Sequence, residues 1–182
     1  CVKHVYCHLN KELIMDFDKG IEAVEFIASQ RETEGNGLYL AHLLARRGYI
    51  FPLDSSLLYL ATNSDWTVAH EMARAGFNFP EDHPAMGRTN DLGESVAMTM
   101  AERGYVFPLD SAFLTSANKT GWTIAHTQAT NGWVVDDIDI LSLKDDVGVT
   151  VAHQMARCGH NFPDGPILDF VDNAGVTVAD LM

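Results

Sequence analysis

One phrase recurs along this chain at a nearly constant interval, and no other feature constrains its fold as much. Asp65-Trp66-Thr67-Val68-Ala69-His70, Gly121-Trp122-Thr123-Ile124-Ala125-His126, Gly148-Val149-Thr150-Val151-Ala152-His153 and Gly175-Val176-Thr177-Val178-Ala179-Asp180 are four copies of it. Gly37-Leu38-Tyr39-Leu40-Ala41-His42 and Gly93-Glu94-Ser95-Val96-Ala97-Met98 are two weaker ones. Successive copies lie 27 or 28 residues apart, a register that chance similarity does not hold over six units. Ala follows three residues past the His slot, at Ala45, Ala73, Ala101, Ala129 and Ala156. Gly follows six past it, at Gly48, Gly76, Gly104, Gly132 and Gly159. Phe-Pro comes next at Phe51, Phe79, Phe107 and Phe162, with Val135-Asp136 as the exception.

Each unit has a readable physics. Thr or Ser after a glycine turn starts a helix, because its hydroxyl satisfies an otherwise orphaned N–H. Apolar residues and Ala then give a short helix with a narrow face, and a left-handed Gly ends it. Past the Pro, an Asp-Ser turn caps a second short helix, expected at Ser55 to Ala61 and at Asp110 to Ser116. Helices under ~12 residues are not stable alone. Neighbouring units must supply the missing surface, so the expected fold is an all-α solenoid of stacked short helix-turn-helix units.

The stretch Gly-x-Thr-Val-Ala-His-x-x-Ala-x-x-Gly resembles the first half of an ankyrin repeat, whose pattern is Gly-x-Thr-Pro-Leu-His-x-Ala-Ala-x-x-Gly. The units starting at Gly121 and Gly148 carry every matching position. The units are shorter than the ~33 residues of an ankyrin repeat, lack Pro after Thr, and carry Phe-Pro where the long second helix and its finger would be. The resemblance therefore implies an ankyrin-like array with a shortened outer helix and no proper hairpin. We expect residues 34–182 to form six such units, the last incomplete, and residues 1–33 to form an N-terminal capping segment. Within that segment Ile21 to Ala28 reads as an amphipathic helix. The start at Cys1 and the halt halfway through a unit lead us to expect part of a longer protein.

Charge narrows the possible partners. Asp and Glu number 25 against 12 Lys and Arg, a formal charge of −13. Clustered cations are what a phosphate backbone or an anionic bilayer surface attracts, so neither is expected as a direct partner. No run of ~18 apolar residues spans a membrane. Cys1, Cys7 and Cys158 are sparse and odd in number, which suits a reducing compartment and a cytoplasmic location.

The ladder His42, His70, His126 and His153 first suggests metal ligands or bases. Stacked units separate its members by ~9–10 Å, whereas zinc needs all its ligands ~2 Å from one centre. A hydroxyl at one position and an imidazole three later share a helix face, and the ring can bridge to a neighbouring backbone carbonyl. The ankyrin resemblance implies the same role. Cys1, His4, Cys7 and His8 form a denser cluster of zinc-apt side chains, but no second pair at finger spacing follows, so ordinary packing is the reading. Asp136, Asp137, Asp139, Asp145 and Asp146 do not follow a calcium-loop spacing and read as a solvated rim. No catalytic motif appears, and we expect neither enzyme activity, nor metal, nor cofactor.

What remains is surface. Arg46, Arg47, Arg74, Arg103 and Arg157 fall four or five positions past the His slot, at the C-terminal end of the first helix. There they complement the helix dipole, and repetition also aligns them along one edge. Trp66 and Trp122 occupy equivalent slots, either as interface anchors or as packing between turns. The expected function is a non-enzymatic protein–protein interaction module using these seven residues. The alternatives are an acidic inhibitor, a nucleic-acid-mimic decoy of a basic protein, and the recognition module of a larger enzyme or effector.

Overall fold

The computed structural model describes Ser29 and residues 37–182. The capping segment (Ser29 apart), the expected helix at Ile21 to Ala28 and the cluster of Cys1, His4, Cys7 and His8 lie outside the described residues. Within them stand six α-helices: α1 Leu40–Arg46, α2 Val68–Arg74, α3 Val96–Glu102, α4 Ile124–Thr130, α5 Ile138–Leu141 and α6 Val151–Arg157. Short 3-10 turns cover Ser56–Tyr59, Ala112–Thr115, Pro166–Asp169 and Ala179–Leu181. No strand occurs among the described residues. The architecture is all-α, and none of these helices is long and apolar enough to cross a membrane.

The helices pack in chain order, α1 on α2, α2 on α3, α3 on α4 and α4 on α6. Alanine makes this possible. Ala69 and Ala73 on α2, Ala97 and Ala101 on α3, and Ala125 and Ala129 on α4 are all buried, one turn apart on a single face. Small side chains there let two-turn helices approach closely, and each helix gains the buried surface it lacks alone. All of these helices but α5 also end alike. The chain reverses at a glycine, and the following N–H bonds back five residues, as in Tyr105 to Met100 and Trp133 to Gln128. After α1, α2, α3 and α6 the ring at that point stands edge-on to a buried Phe two residues later, with centroids 4.7 Å apart for Tyr49–Phe51 and 4.8 Å for Phe77–Phe79.

The second helix of a unit is shorter than expected. Ser55 and Ser111 do act as caps, but the turns they start cover only Ser56–Tyr59 and Ala112–Thr115 and are 3-10. The connection back to the next helix is also more ordered than expected. An antiparallel bridge closes it at Ala61–Thr67, Thr89–Ser95, Ala117–Thr123, Lys144–Thr150 and Val171–Thr177. A side-chain oxygen holds each such turn from inside. Asn118 Oδ1 accepts from Thr120 N at 3.0 Å and Trp122 N at 3.1 Å, and Asp145 Oδ1 from Val147 N at 3.1 Å and Val149 N at 2.8 Å.

These turns are joined to each other. Asp91 N donates to Ser64 O, Lys119 N to Leu92 O, Asp146 N to Thr120 O and Asn173 N to Val147 O, each at 3.0 Å. So close an approach needs a residue without a side chain. A Cβ on Gly148, whose φ is +80°, would stand 2.6 Å from Asn173 Oδ1 and 2.8 Å from Asn173 N.

Candidate partner-binding surface

The buried histidines come first, because they decide what chemistry the units retain. His42, His70, His126 and His153 are all fully buried. In His126, Nδ1 faces Thr123 N at 3.2 Å and Thr123 Oγ1 at 2.7 Å, while Nε2 faces Val149 O of the next unit at 3.0 Å. A backbone N–H can only donate and a carbonyl can only accept. The ring must therefore be neutral, with its proton on Nε2. His70 and His153 repeat the arrangement, reaching Glu94 O at 3.2 Å and Val176 O at 3.1 Å, and His42 keeps both backbone bonds, to Tyr39 N at 3.2 Å and Trp66 O at 3.0 Å, with Tyr in place of the Thr. Burial holds the His42 and His126 imidazoles below the ordinary range and brings His70 down to about 4. With both nitrogens engaged, no ring offers a free base or a metal lone pair. Asp180, in the same slot, closes the Thr177 box with Oδ2 at 2.9 Å and 2.7 Å but has no proton to send onward.

The two tryptophans lie against this ladder. Trp66 and Trp122 are half-buried, their rings 4.7 and 4.8 Å from His70 and His126. Their polar ends differ. Trp122 Nε1 donates to Thr127 Oγ1 at 3.0 Å, whereas Trp66 Nε1 is buried without an acceptor. The residue equivalent to Thr127 is Glu71, and its carboxylate is taken by Arg46.

That pair joins α1 to α2. Arg46 Nη2 lies 2.6 Å from Glu71 Oε1 and Arg46 Nε donates to Oε2 at 3.3 Å; Glu71 is 1% exposed and Arg46 53%. The same interaction holds the Arg46 guanidinium above its ordinary range. Arg74 lies over the Trp66 ring, 5.8 Å from its centroid, and Arg157 Nη2 stands 3.8 Å from Asp172 Oδ2. Arg47 and Arg103 are exposed at the ends of α1 and α3 and make no ion pair with a described residue. Burial, and then Glu94, raise the Glu102 carboxyl, while Arg74 opposes them.

Along this edge the slots change character after α3. Asn131 stands where Arg47 and Arg103 stand, and its Nδ2 donates to Ala101 O on the preceding helix at 2.8 Å. Consecutive packing thus brings the helix-end arginines of α1 to α3 to one edge, with Arg157 separated from them by the neutral end of α4. A shallow depression of about 190 Å³ opens between the ends of α1 and α2, lined by Ala45, Tyr49, Met72 and Phe77 but by no carboxylate, histidine or cysteine. Among the described residues no three His, Cys, Asp or Glu converge as metal ligands do.

Two features were missed in the sequence. One is the Arg46–Glu71 pair, for which spacing held no signal. The other is the set of turn-holding residues Asn90, Asn118, Asp145 and Asp172, which stand three before each turn glycine, a constant spacing that could have disclosed them. In comparisons with known proteins, the chain matches no family model and no curated protein.

Proposed function

We propose that this chain is a non-enzymatic interaction module, an ankyrin-like solenoid that binds a partner protein along its helix-end edge. The reading rests on the exposed guanidiniums of Arg47 and Arg103, set at equivalent ends of consecutively packed helices with Arg74 between them. Arginine in such a row suits a carboxylate-bearing partner, since its planar fork pairs with carboxylates in two bonds at once. Trp122 contributes the outer face of its ring and Trp66 a ring over which Arg74 lies, while both rings rest against histidine. The imidazoles, the residues best able to carry acid–base chemistry, are consumed in joining units, which favours binding over catalysis. A reducing compartment such as the cytoplasm suits the free, exposed Cys158.

Charge reversal at Arg47 and Arg103 tests the reading. Arg47→Glu with Arg103→Glu should leave the unfolding midpoint within error and abolish retention of a protein that the wild-type chain captures from extract and that purified components then bind directly. Equal retention by both chains refutes the Arg edge as the binding face.

A further inference from the structure

A second edge of the molecule carries the opposite character. The segments that follow the helix-ending glycines, 49–55, 77–83, 105–111, 133–138 and 160–165, hold Asp54, Glu81, Asp82, Asp110, Asp136, Asp137 and Asp164 and no Lys or Arg. The first three are joined in chain order. His83 Nε2 donates to Leu53 O at 2.9 Å, and Ser111 Oγ donates to Glu81 Oε2 at 2.8 Å, each joining one segment to the segment before it. Gln128 fixes another, accepting from Phe107 N at 2.6 Å and donating to Phe107 O at 3.4 Å.

Aliphatic side chains project from this acidic edge. Ile50, Leu53, Val106, Leu109, Val134 and Ile138 are 39% to 59% exposed. The fold does not require them to be apolar. Asn78 and Glu81 occupy the slots of Ile50 and Leu53 in the unit between, and that unit keeps the same helix, the same edge-on aromatic pair and the same buried Phe79. Tyr49-Ile50-Phe51-Pro52-Leu53-Asp54-Ser55 and Tyr105-Val106-Phe107-Pro108-Leu109-Asp110-Ser111 differ only in Ile against Val, so one exposed apolar pair with its acid is presented twice. Scattered exposed aliphatics are ordinary, but a set repeated at equivalent slots and accompanied by one sign of charge marks an interaction surface.

We propose that this edge docks a basic segment of a partner protein that has one aliphatic face. Its aliphatic side chains seat on Val106, Leu109 and Val134, and its Lys and Arg side chains pair with Asp110, Asp136 and Asp137. The complementarity selects the occupant. A nucleic acid or an anionic bilayer is repelled by seven carboxylates, and a second copy of this edge brings the same charge. The proposal does not depend on the arginine edge, which faces partners of opposite charge.

The test uses the full chain and two labelled amphipathic peptides of about 18 residues, ~27 Å long as helices, enough to span about three units ~9–10 Å apart. One peptide is built of Leu and Lys, the other of Leu and Glu, and binding is read by fluorescence anisotropy. The Leu/Lys peptide should bind, and the Leu/Glu peptide should not. Val106→Ser with Leu109→Ser changes no charge and should weaken binding of the Leu/Lys peptide at least tenfold. Leu92→Ser, on a bridged turn, should leave it unchanged, as should Arg47→Glu with Arg103→Glu. Wild-type affinity in the Val106/Leu109 double variant, or equal binding of both peptides, overturns the proposal. A loss caused only by the arginine reversal also overturns it, and places binding on the other edge. Circular dichroism of each variant confirms that the helices are retained.

Discussion

Two junctions in this molecule solve one problem with different residues. Between α2 and α3, His70 receives the Thr67 N–H on one nitrogen at 3.1 Å and passes its own proton to Glu94 O on the next unit. Between α3 and α4 the same slot holds Met98, which is buried and sends no hydrogen bond forward, so Trp122 O receives only the N–H of Asn118. The hydrogen bonds move instead to the far end of the helix, where Gln128 brackets Phe107 and Asn131 caps Ala101. The Ala face is the same at both junctions. Apolar packing therefore sets how the helices meet, and the polar groups tie the meeting place at whichever end is convenient. A buried backbone group has to be paired, but several side chains can pair it.

Removing a tie at a histidine junction should have the largest effect. His126→Ala leaves the Thr123 N–H without its ring acceptor, removes the bond to Val149 O, and opens a cavity the size of an imidazole. A loss of about 4 kcal/mol is expected from these combined effects. Urea unfolding at pH 7.5 measures it, and a loss under about 1 kcal/mol would mean that the ladder is incidental to cohesion.

Acid should loosen the histidine junctions and spare the other. His70 titrates near its ordinary 6.5 in the unfolded chain and at about 4 when folded. Between those values the unfolded chain binds more protons, so stability falls as pH falls and is flat above about pH 7. At ~1.4 kcal/mol for each tenfold change in proton affinity, His70 alone accounts for about 3 kcal/mol. Asp172 and Asp180 are held low by Val176 N and Thr177, so their protonation belongs to a separate window below their ordinary 3.8. The His70→Asn variant should be weaker than wild type at pH 7 yet converge with it by pH 4. Parallel curves in denaturant midpoint against pH would refute the assignment.

Gln128→Ala tests the compensated junction. The Phe107 N–H is buried and has this side chain as its partner, so about 2 kcal/mol is expected, less than at His126 because little apolar volume is lost. If the two variants cost the same, the far-end tie is equivalent to the histidine tie and the distinction between the junctions fails.

The comparison also shows what a sequence can disclose. Thr67, His70, Ala73 and Gly76 were legible because each is bound to its own unit's backbone or to a fixed neighbour, so identity and spacing repeat together. The bridged turns were partly legible, since Asn118 and Asp145 precede their glycines at one interval, but Thr62 and Asp65 occupy the same two slots in another unit and obscure the pattern. Asp65 manages this by taking φ of 59° itself. The Arg46–Glu71 pair was not legible, because it depends on which faces of two helices meet. The tryptophans were ambiguous for a related reason. A ring that stacks on His70 and a ring that meets a partner occupy the same slot, and only the outer face distinguishes them. The exposed aliphatics were overlooked because Val106 and Leu109 sit beside the buried Phe107 in a motif that reads as core.

The smallest predicted effect asks whether the histidine junction is portable. Met98 follows Ser95, whose Oγ already accepts the Met98 N–H at 3.0 Å and holds the same cap that Thr67 and Thr123 hold for their helices. Trp122 O stands where Glu94 O and Val149 O stand in their units. Met98→His should therefore place Nδ1 on the Ser95 N–H and Nε2 on Trp122 O without moving the backbone. The gain is two added hydrogen bonds less the apolar burial of the methionine, so about 1 kcal/mol at pH 7.5 is expected. The acid sensitivity should rise with it, because below about pH 6.5 the new ring stays neutral only when folded. A variant more stable at pH 7.5 and less stable than wild type at pH 4 would show that the tie follows from the slot. One destabilised at both pH values would show that α3 and α4 are set too differently to accept it, and that Gln128 and Asn131 compensate for a difference in packing as well as for a missing imidazole.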